Sequence, residues 1–255
     1  MGGCVEDPLM DRTTAIIGDV HGCGIEFIEL AQYLLDCEGI RRFVLTGDLF
    51  TKGPTPHLVI EELDQLVEAG CEVVPVCGNH DLRLFSAQLR LETGCPEEDL
   101  PKTERRTSRI LRDTSCTERA IHWLATAVET ITWTNGDGMT VVHAGIDPVL
   151  GLDGTSDHEK IHMKAQEGER HWWMDYDGRD GLIVVGHKPV DEPVCITYND
   201  VPVAINIDTG CALGGRLTAY LPENHRFVAV ESRQIPRHLE QDLPEKPAAS
   251  VASVA

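Results

Sequence analysis

The chain has 255 residues, with 22 Lys plus Arg against 42 Asp plus Glu, for a formal net charge of −20. That excess excludes binding to long nucleic acids or anionic membranes through a broad positive surface, because such binding needs clustered cations. Hydrophobic residues make up 42 % of the chain and aromatics 5 %, enough for a core but too few rings for stacking along a single strand. No apolar run approaches the roughly 18 residues of a membrane span. The opening MGGCVEDPLM lacks the charged and apolar regions of a signal peptide, and Glu6 stands where a myristoylation motif has Ser or Thr. The nine cysteines form no CxxC pair, and several lie inside apolar runs (Cys71, Cys77, Cys195). They read as reduced, mostly buried thiols of a cytoplasmic protein.

Short β-rich runs alternate with helical patterns through the first half. Residues 14–17 read as a strand, and residues 25–37 as a helix with apolar positions Ile25, Ile28, Leu30, Tyr33, Leu34 and Cys37. A second strand at 42–46 leads through a Gly/Pro-rich loop to a helix that Pro56 starts and Gly70 ends. A third strand at 72–77 again precedes a loop and a helix. Two strand-loop-helix-strand units in succession imply parallel strands with right-handed crossovers.

The middle of the chain is polar and charged, and residues 91–128 read as a largely helical insertion. Asn135-Gly136-Asp137-Gly138 marks a hairpin turn between strands at 129–134 and 139–143. Residues 147–175 form a second polar insertion. Short strands follow at 182–186, 194–198, 201–207, 216–221 and 227–230, which makes the second half β-rich and, on this reading, largely antiparallel. The expectation is one α/β domain over residues 1–232, with a disordered tail over 233–255 that ends PAASVASVA.

The informative polar residues sit where strands end. Asp19 and His21 follow the first strand in GDVHG, Asp48 the second in GDLFTKGP, and Asn79, His80 and Asp81 the third in GNHD. His143 follows a later strand in VVHAG, and His187 another in VVGHKP. Ligands of α/β sheets bind beyond the carboxyl ends of strands, so these loops should converge. Asp19, His21, Asp48, Asn79, His143 and His187 then bring oxygen and imidazole donors without thiolate, a set that suits Mn, Fe, Zn or a related divalent ion. Gly precedes Asp19, Asp48, Asn79 and His187 and lets the backbone approach a ligand closely.

Together these strings resemble the ordered motifs of the calcineurin-like metallophosphoesterases, within the phosphoprotein-phosphatase superfamily. The resemblance runs from about Asp19 to Val230 and implies a four-layer α-β-β-α sandwich with a binuclear metal site at the strand ends. By position, it implies one ion on Asp19 and His21, a second on Asn79, His143 and His187, and Asp48 bridging the two. Manganese is the expected metal, with Fe, Zn, Co and Ni as alternatives. His80 is similar to the family's catalytic histidine, which protonates the leaving oxygen, and Asp81 beside it is the second expected catalytic residue.

The second motif departs from the GDxxDRG of protein phosphatases. Thr51 replaces the Asp that pairs with the catalytic histidine, and Lys52 replaces a phosphate-binding Arg, supplying a point charge where the family has a fork. GNHDLRLF and INIDTGCALGGRLTAYL look more like bacterial symmetrical diadenosine tetraphosphatases and stand-alone bacterial phosphatases. The resemblance therefore implies a hydrolase of phosphoester or phosphoanhydride bonds acting on a small phosphorylated compound or (di)nucleotide. The alternatives are a serine/threonine phosphoprotein phosphatase and, third, an inactive metal-binding scaffold. Lys52, Arg83 and Arg170 are the expected substrate-binding cations, with Lys188 behind them. Trp172 and Trp173 are read as core.

Overall fold

The computed structural model describes residues 13–133, 138–164 and 170–235. Two five-stranded sheets form its centre. The first has the order β10-β9-β1-β2-β3. It comprises β1 (Thr14–Ile17), β2 (Arg42–Leu45), β3 (Glu72–Pro75), β9 (Arg216–Leu221) and β10 (Arg226–Glu231). Helices α1 (Gly24–Asp36) and α2 (Pro56–Glu68) cross between its parallel strands, as the two repeated units require.

Alternation along these strands sorts their side chains onto two faces. Ala15, Ile17, Phe43 and Leu45 join Leu30, Leu34, Ile60 and Leu63 of the two helices in one core. Ile16 and Val44 point the other way, into a second core shared with Val141, Val184 and Ile205 of the other sheet. On α1 the buried stripe is Phe27, Leu30, Ala31 and Leu34. Ile25 and Tyr33, expected on that stripe, face solvent, and the Tyr33 hydroxyl donates to Glu38.

The second sheet has the order β4-β5-β6-β8-β7. Its strands are β4 (Ile131–Trp133), β5 (Met139–Val141), β6 (Leu182–Val185), β7 (Val194–Tyr198) and β8 (Val201–Asn206). β4 and β5 pair antiparallel, as a hairpin requires, although turn residues 134–137 lie outside the described residues. The expected antiparallel character holds for β7–β8 and β9–β10 but fails in the middle of this sheet, where β5, β6 and β8 run parallel. The chain returns between β5 and β6 to run parallel, and β7 lies at the edge, so β8 is parallel to β6 as well. Edge position also exposes Cys195, which was expected to be buried.

The polar middle segment is helical, as expected. It contains α4 (Lys102–Asp113) and α5 (Thr117–Thr126), packed beside α3 (Asn79–Glu92). The outer face of the second sheet is covered by two short helices, α6 (Gly151–Gly154) and α7 (Asp157–His162), and by Trp172, Trp173 and Tyr176. The two tryptophans are core residues, as read from the sequence. Past β10 the chain remains attached, because the Arg233 amide donates to buried Glu26 at 2.7 Å. The rest of the expected tail, residues 236–255, lies outside the described residues. Among the described residues no helix is long and apolar enough to cross a membrane.

Candidate metal centre

Three parallel strands of each sheet end at one edge, and the polar residues that follow them meet there. The loops after β1, β2 and β3 bring Asp19 and His21, Asp48, and Asn79. Those after β5 and β6 bring His143 and His187. His21 Nε2 lies 3.8 Å from an Asp19 oxygen and 3.4 Å from an Asp48 oxygen. His143 Nε2 lies 3.7 Å from the other Asp48 oxygen, 3.3 Å from Asn79 Oδ1 and 3.0 Å from His187 Nδ1. The six residues read from the sequence therefore form one cluster, with the Asp48 carboxylate between its two halves.

The backbone is held against its preferences to achieve this. His21, Asp48 and His187 have φ values of 50°, 55° and 68°, in the left-handed region that non-glycine residues seldom occupy. Close approach explains two of the neighbouring glycines. A Cβ on Gly186 would stand 2.0 Å from an Asp19 oxygen, and one on Gly78 would stand 2.2 Å from an Asp48 oxygen.

The buried imidazoles are oriented from behind. His143 Nδ1 bonds the Thr46 carbonyl at 2.8 Å, so its proton sits there and Nε2 presents a lone pair to the cluster. Thr51, which replaces the expected Asp, lies with its hydroxyl 3.3 Å from His21 Nδ1. It supports a cluster imidazole and is not paired with His80. Lys52 Nζ lies 2.6 Å from His21 Nε2, so this cation is within the cluster. Asp81 is fully buried and uses its carboxylate on the backbone, accepting from the amides of Asp48, Gly78 and Leu49 at 2.6, 3.0 and 2.9 Å. It fastens the β2 loop to the β3 loop. Burial, together with the Asp48 charge, pushes its pKa up to about 8.

His80 stands at the rim, its ring edge-on to that of His21 with centroids 5.2 Å apart, and its amide donates to Asp48 at 2.8 Å. Arg83 does not reach into the cluster. Its guanidinium contacts His80 Nδ1 and the carboxylate of Glu104 on α4. Arg170 is exposed and pairs with Asp175 at 3.3 Å, beside a cavity of about 470 Å³ that His187 and Lys188 also line.

Sequence reasoning missed two acids. Asp208 follows β8, is buried, and leaves Oδ2 without a hydrogen-bond partner. The available signal was its place in INIDTG, an acid after a strand as in the other motifs. Glu104 lies in the insertion, where nothing in the sequence marks it.

The electrostatics suit a cation. Burial and the charges of Asp208 and Asp48 push the Asp19 carboxyl well above its ordinary value. Asp208 is pushed up to about 6, by burial first. Burial opposes charge on Asp48 too, but the facing imidazoles of His143, His21 and His80 and the Lys52 ammonium outweigh it and hold that carboxyl low. Burial also pushes the His21 and His143 imidazoles below their ordinary value, and drives His187 down to about 3. Three buried acids gathered with imidazole nitrogens at one edge, one acid with an unpartnered oxygen, fit divalent ions. Asp19, Asp48 and His143 have ligand atoms that all lie within 4.8 Å of one another.

The calcineurin-like phosphoesterase family matches residues 12–219. The chain belongs to that family. It is a hydrolytic enzyme of the metallophosphoesterase fold, and such enzymes use divalent metals. It is 31 % identical to the bis(5'-nucleosyl)-tetraphosphatase PrpE [asymmetrical] of Bacillus subtilis, over 89 % of this chain and 96 % of that one. It is 30 % identical to the protein of the same name from Oceanobacillus iheyensis, over 86 % and 92 %. A solved structure of a candidate diadenosine tetraphosphatase has the same fold, with a TM-score of 0.66 at 22 % identity over 89 % of this chain and 96 % of that one. The sequence motifs resemble symmetrical tetraphosphatases, whereas these two relatives are named for the asymmetrical reaction.

A pH dependence follows from the raised carboxyls. The folded metal-free chain keeps protons on Asp19 and Asp208 at pH values where an unfolded carboxyl near 3.9 has lost them. Stability from this source is lost as pH rises through about 6, and a bound divalent ion restores it. Thermal melting with manganese and with chelator should give a larger metal-induced gain in Tm at about pH 7.5 than at about pH 5.5. An equal gain at both would contradict the carboxylate-rich centre.

Proposed function

We propose that this chain is a binuclear, divalent-metal-dependent hydrolase of dinucleoside polyphosphates, working as one domain in the cytoplasm. Asp19 and His21 would hold one ion, Asn79, His143 and His187 the other, and Asp48 both, with manganese the expected metal. When bound, two such ions supply a hydroxide nucleophile near neutral pH and Lewis acidity towards a phosphoryl oxygen. Lys52 adds a fixed positive charge at the same place, which favours a polyphosphate over a neutral ester. His80, on the rim with its amide tied to Asp48, faces the leaving group.

The cavity beside His187 carries the substrate reading. Its walls include Lys164, Arg170 and Lys188, and His171 stacks on Trp173 with ring centroids 4.2 Å apart and planes at 14°. Cations and a flat ring pair next to the hydrolytic centre suit a polyphosphate that ends in a base. About 470 Å³ is room for a nucleotide, and the net charge of −20 keeps long polyanions away. The names of the similar tetraphosphatases support the same substrate class. Those names favour the dinucleotide reading over the phosphoprotein alternative, and the scaffold alternative is disfavoured by the complete ligand set with His80 beside it.

Two tests follow. Asp48→Asn should lower metal content, while His80→Asn should keep the metals and lose kcat by about 10²-fold or more. Equal metal loss in both variants would contradict the division of roles. Metal-reconstituted protein should show a higher kcat/KM for diadenosine tetraphosphate than for a panel of phosphoserine peptides, with AMP and ATP as products. Two molecules of ADP would assign the symmetrical cut, and preference for the peptides would overturn the substrate reading.

A further inference from the structure

The loss of the Asp at position 51 leaves His80 without the partner that the motif resemblance implies. Thr51 does not substitute, since its hydroxyl lies against His21 Nδ1. The group that does touch His80 comes from its own helix. Arg83 Nη2 lies 3.2 Å from His80 Nδ1. The same guanidinium donates to Glu104 Oε1 through Nε at 2.8 Å and Nη2 at 2.7 Å.

Glu104 is placed to hold this arrangement. Its side chain is 1 % exposed, while that of Arg83 is 49 % exposed. Oε2 of Glu104 is buried without a partner, so the carboxylate is committed to one guanidinium. A second polar lock fixes the register of the two helices, because Gln88 Nε2 of α3 donates to Ser108 Oγ of α4 at 2.8 Å. Arg106 of α4 also reaches the β2 loop, donating to the Lys52 carbonyl at 3.3 Å. The insertion thus contacts both loops that flank His80.

A guanidinium only donates hydrogen bonds. Its contact with Nδ1 therefore uses that nitrogen as an acceptor, and the ring's single N–H lies on Nε2. A carboxylate partner would do the opposite, taking a proton from Nδ1 and favouring a ring that carries two. We propose that Arg83 and Glu104 are positioning residues that hold His80 as a hydrogen-bond donor through Nε2, and that this arrangement fits the site to phosphoanhydride leaving groups. This rests on His80 facing the leaving group, as set out above.

The chemistry is consistent with that leaving group. When a phosphoanhydride P–O bond breaks, its electron pair stays on a terminal phosphate oxygen, whose second pKa is near about 6. A hydrogen bond from Nε2–H stabilises that anion, and no proton need be transferred. An alkoxide leaving from a phosphoserine or an alkyl phosphate needs a complete proton, which a ring with its Nδ1 taken by Arg83 supplies poorly.

A double-mutant cycle separates positioning from substrate contact. With the metal-loaded full chain and diadenosine tetraphosphate, Arg83→Gln and Glu104→Gln should each lower kcat about tenfold, with KM changed less than twofold. In a His80→Asn background neither should lower it further. Arg83→Lys, which keeps one donor, should recover part of the loss. The ratio of kcat/KM for diadenosine tetraphosphate over an alkyl phosphate should fall in Arg83→Gln, because Nδ1 is then free. Arg83→Gln is the variant to rely on if Glu104→Gln fails to fold, since Arg83 is half exposed. A rise in KM that persists with His80 removed would overturn the proposal and make Arg83 a phosphate contact. An unchanged ratio would overturn the link to leaving groups. If the wild type prefers phosphopeptides, the substrate reading falls, and the cycle still decides the role of Arg83.

Discussion

Asp48 holds the edge of the sandwich together through contacts that do not involve a ligand. Its carboxylate accepts the His80 amide and faces the imidazoles of His21 and His143, while its own amide donates to Asp81 and its carbonyl accepts from the His21 amide. Loops from both sheets therefore meet at one buried carboxyl. Placing Asp19 and Asp208 beside it in a poorly solvated space is unfavourable for the charged forms of those two unless further positive charge is present. The left-handed backbone at His21, Asp48 and His187 is strain of the same origin, tolerated because the surrounding loops fix it.

Strand direction is what allows the convergence. β1, β2 and β3 are parallel, and so are β5, β6 and β8, so six strand ends deliver their loops to the same edge. An antiparallel centre in the second sheet would have sent the loop after one of these strands, and with it His143, His187 or Asp208, to the opposite edge. The covering of the second sheet is correspondingly light. Short helices and the tryptophans of residues 172–173 replace long crossover helices, and this leaves room for a cavity next to His187.

Much of this was legible in the sequence because the signals were local. GD, GNHD, VHAG and VGHKP each end an apolar run, and each placed its residue correctly at a strand end. The crossover helices, the helical insertion and the buried tryptophans were readable from periodicity and polarity. What was not legible depended on long-range pairing. No local pattern distinguishes a parallel β6–β8 pair from an antiparallel one, since the runs are equally apolar. The role of Thr51 was hidden because its partner, His21, is 30 residues away. Arg83 looked like a phosphate contact from its motif, and only the packing of α4 shows that Glu104 holds it.

The most direct test of the proposed binuclear centre is anomalous diffraction from crystals of the manganese-reconstituted protein. Two peaks about 3.5–4 Å apart, with the Asp48 carboxylate between them and Asn79, His143 and His187 around one of them, are the expected result. A single ion at this edge, or manganese bound elsewhere with the cluster filled by Lys52, would contradict the account.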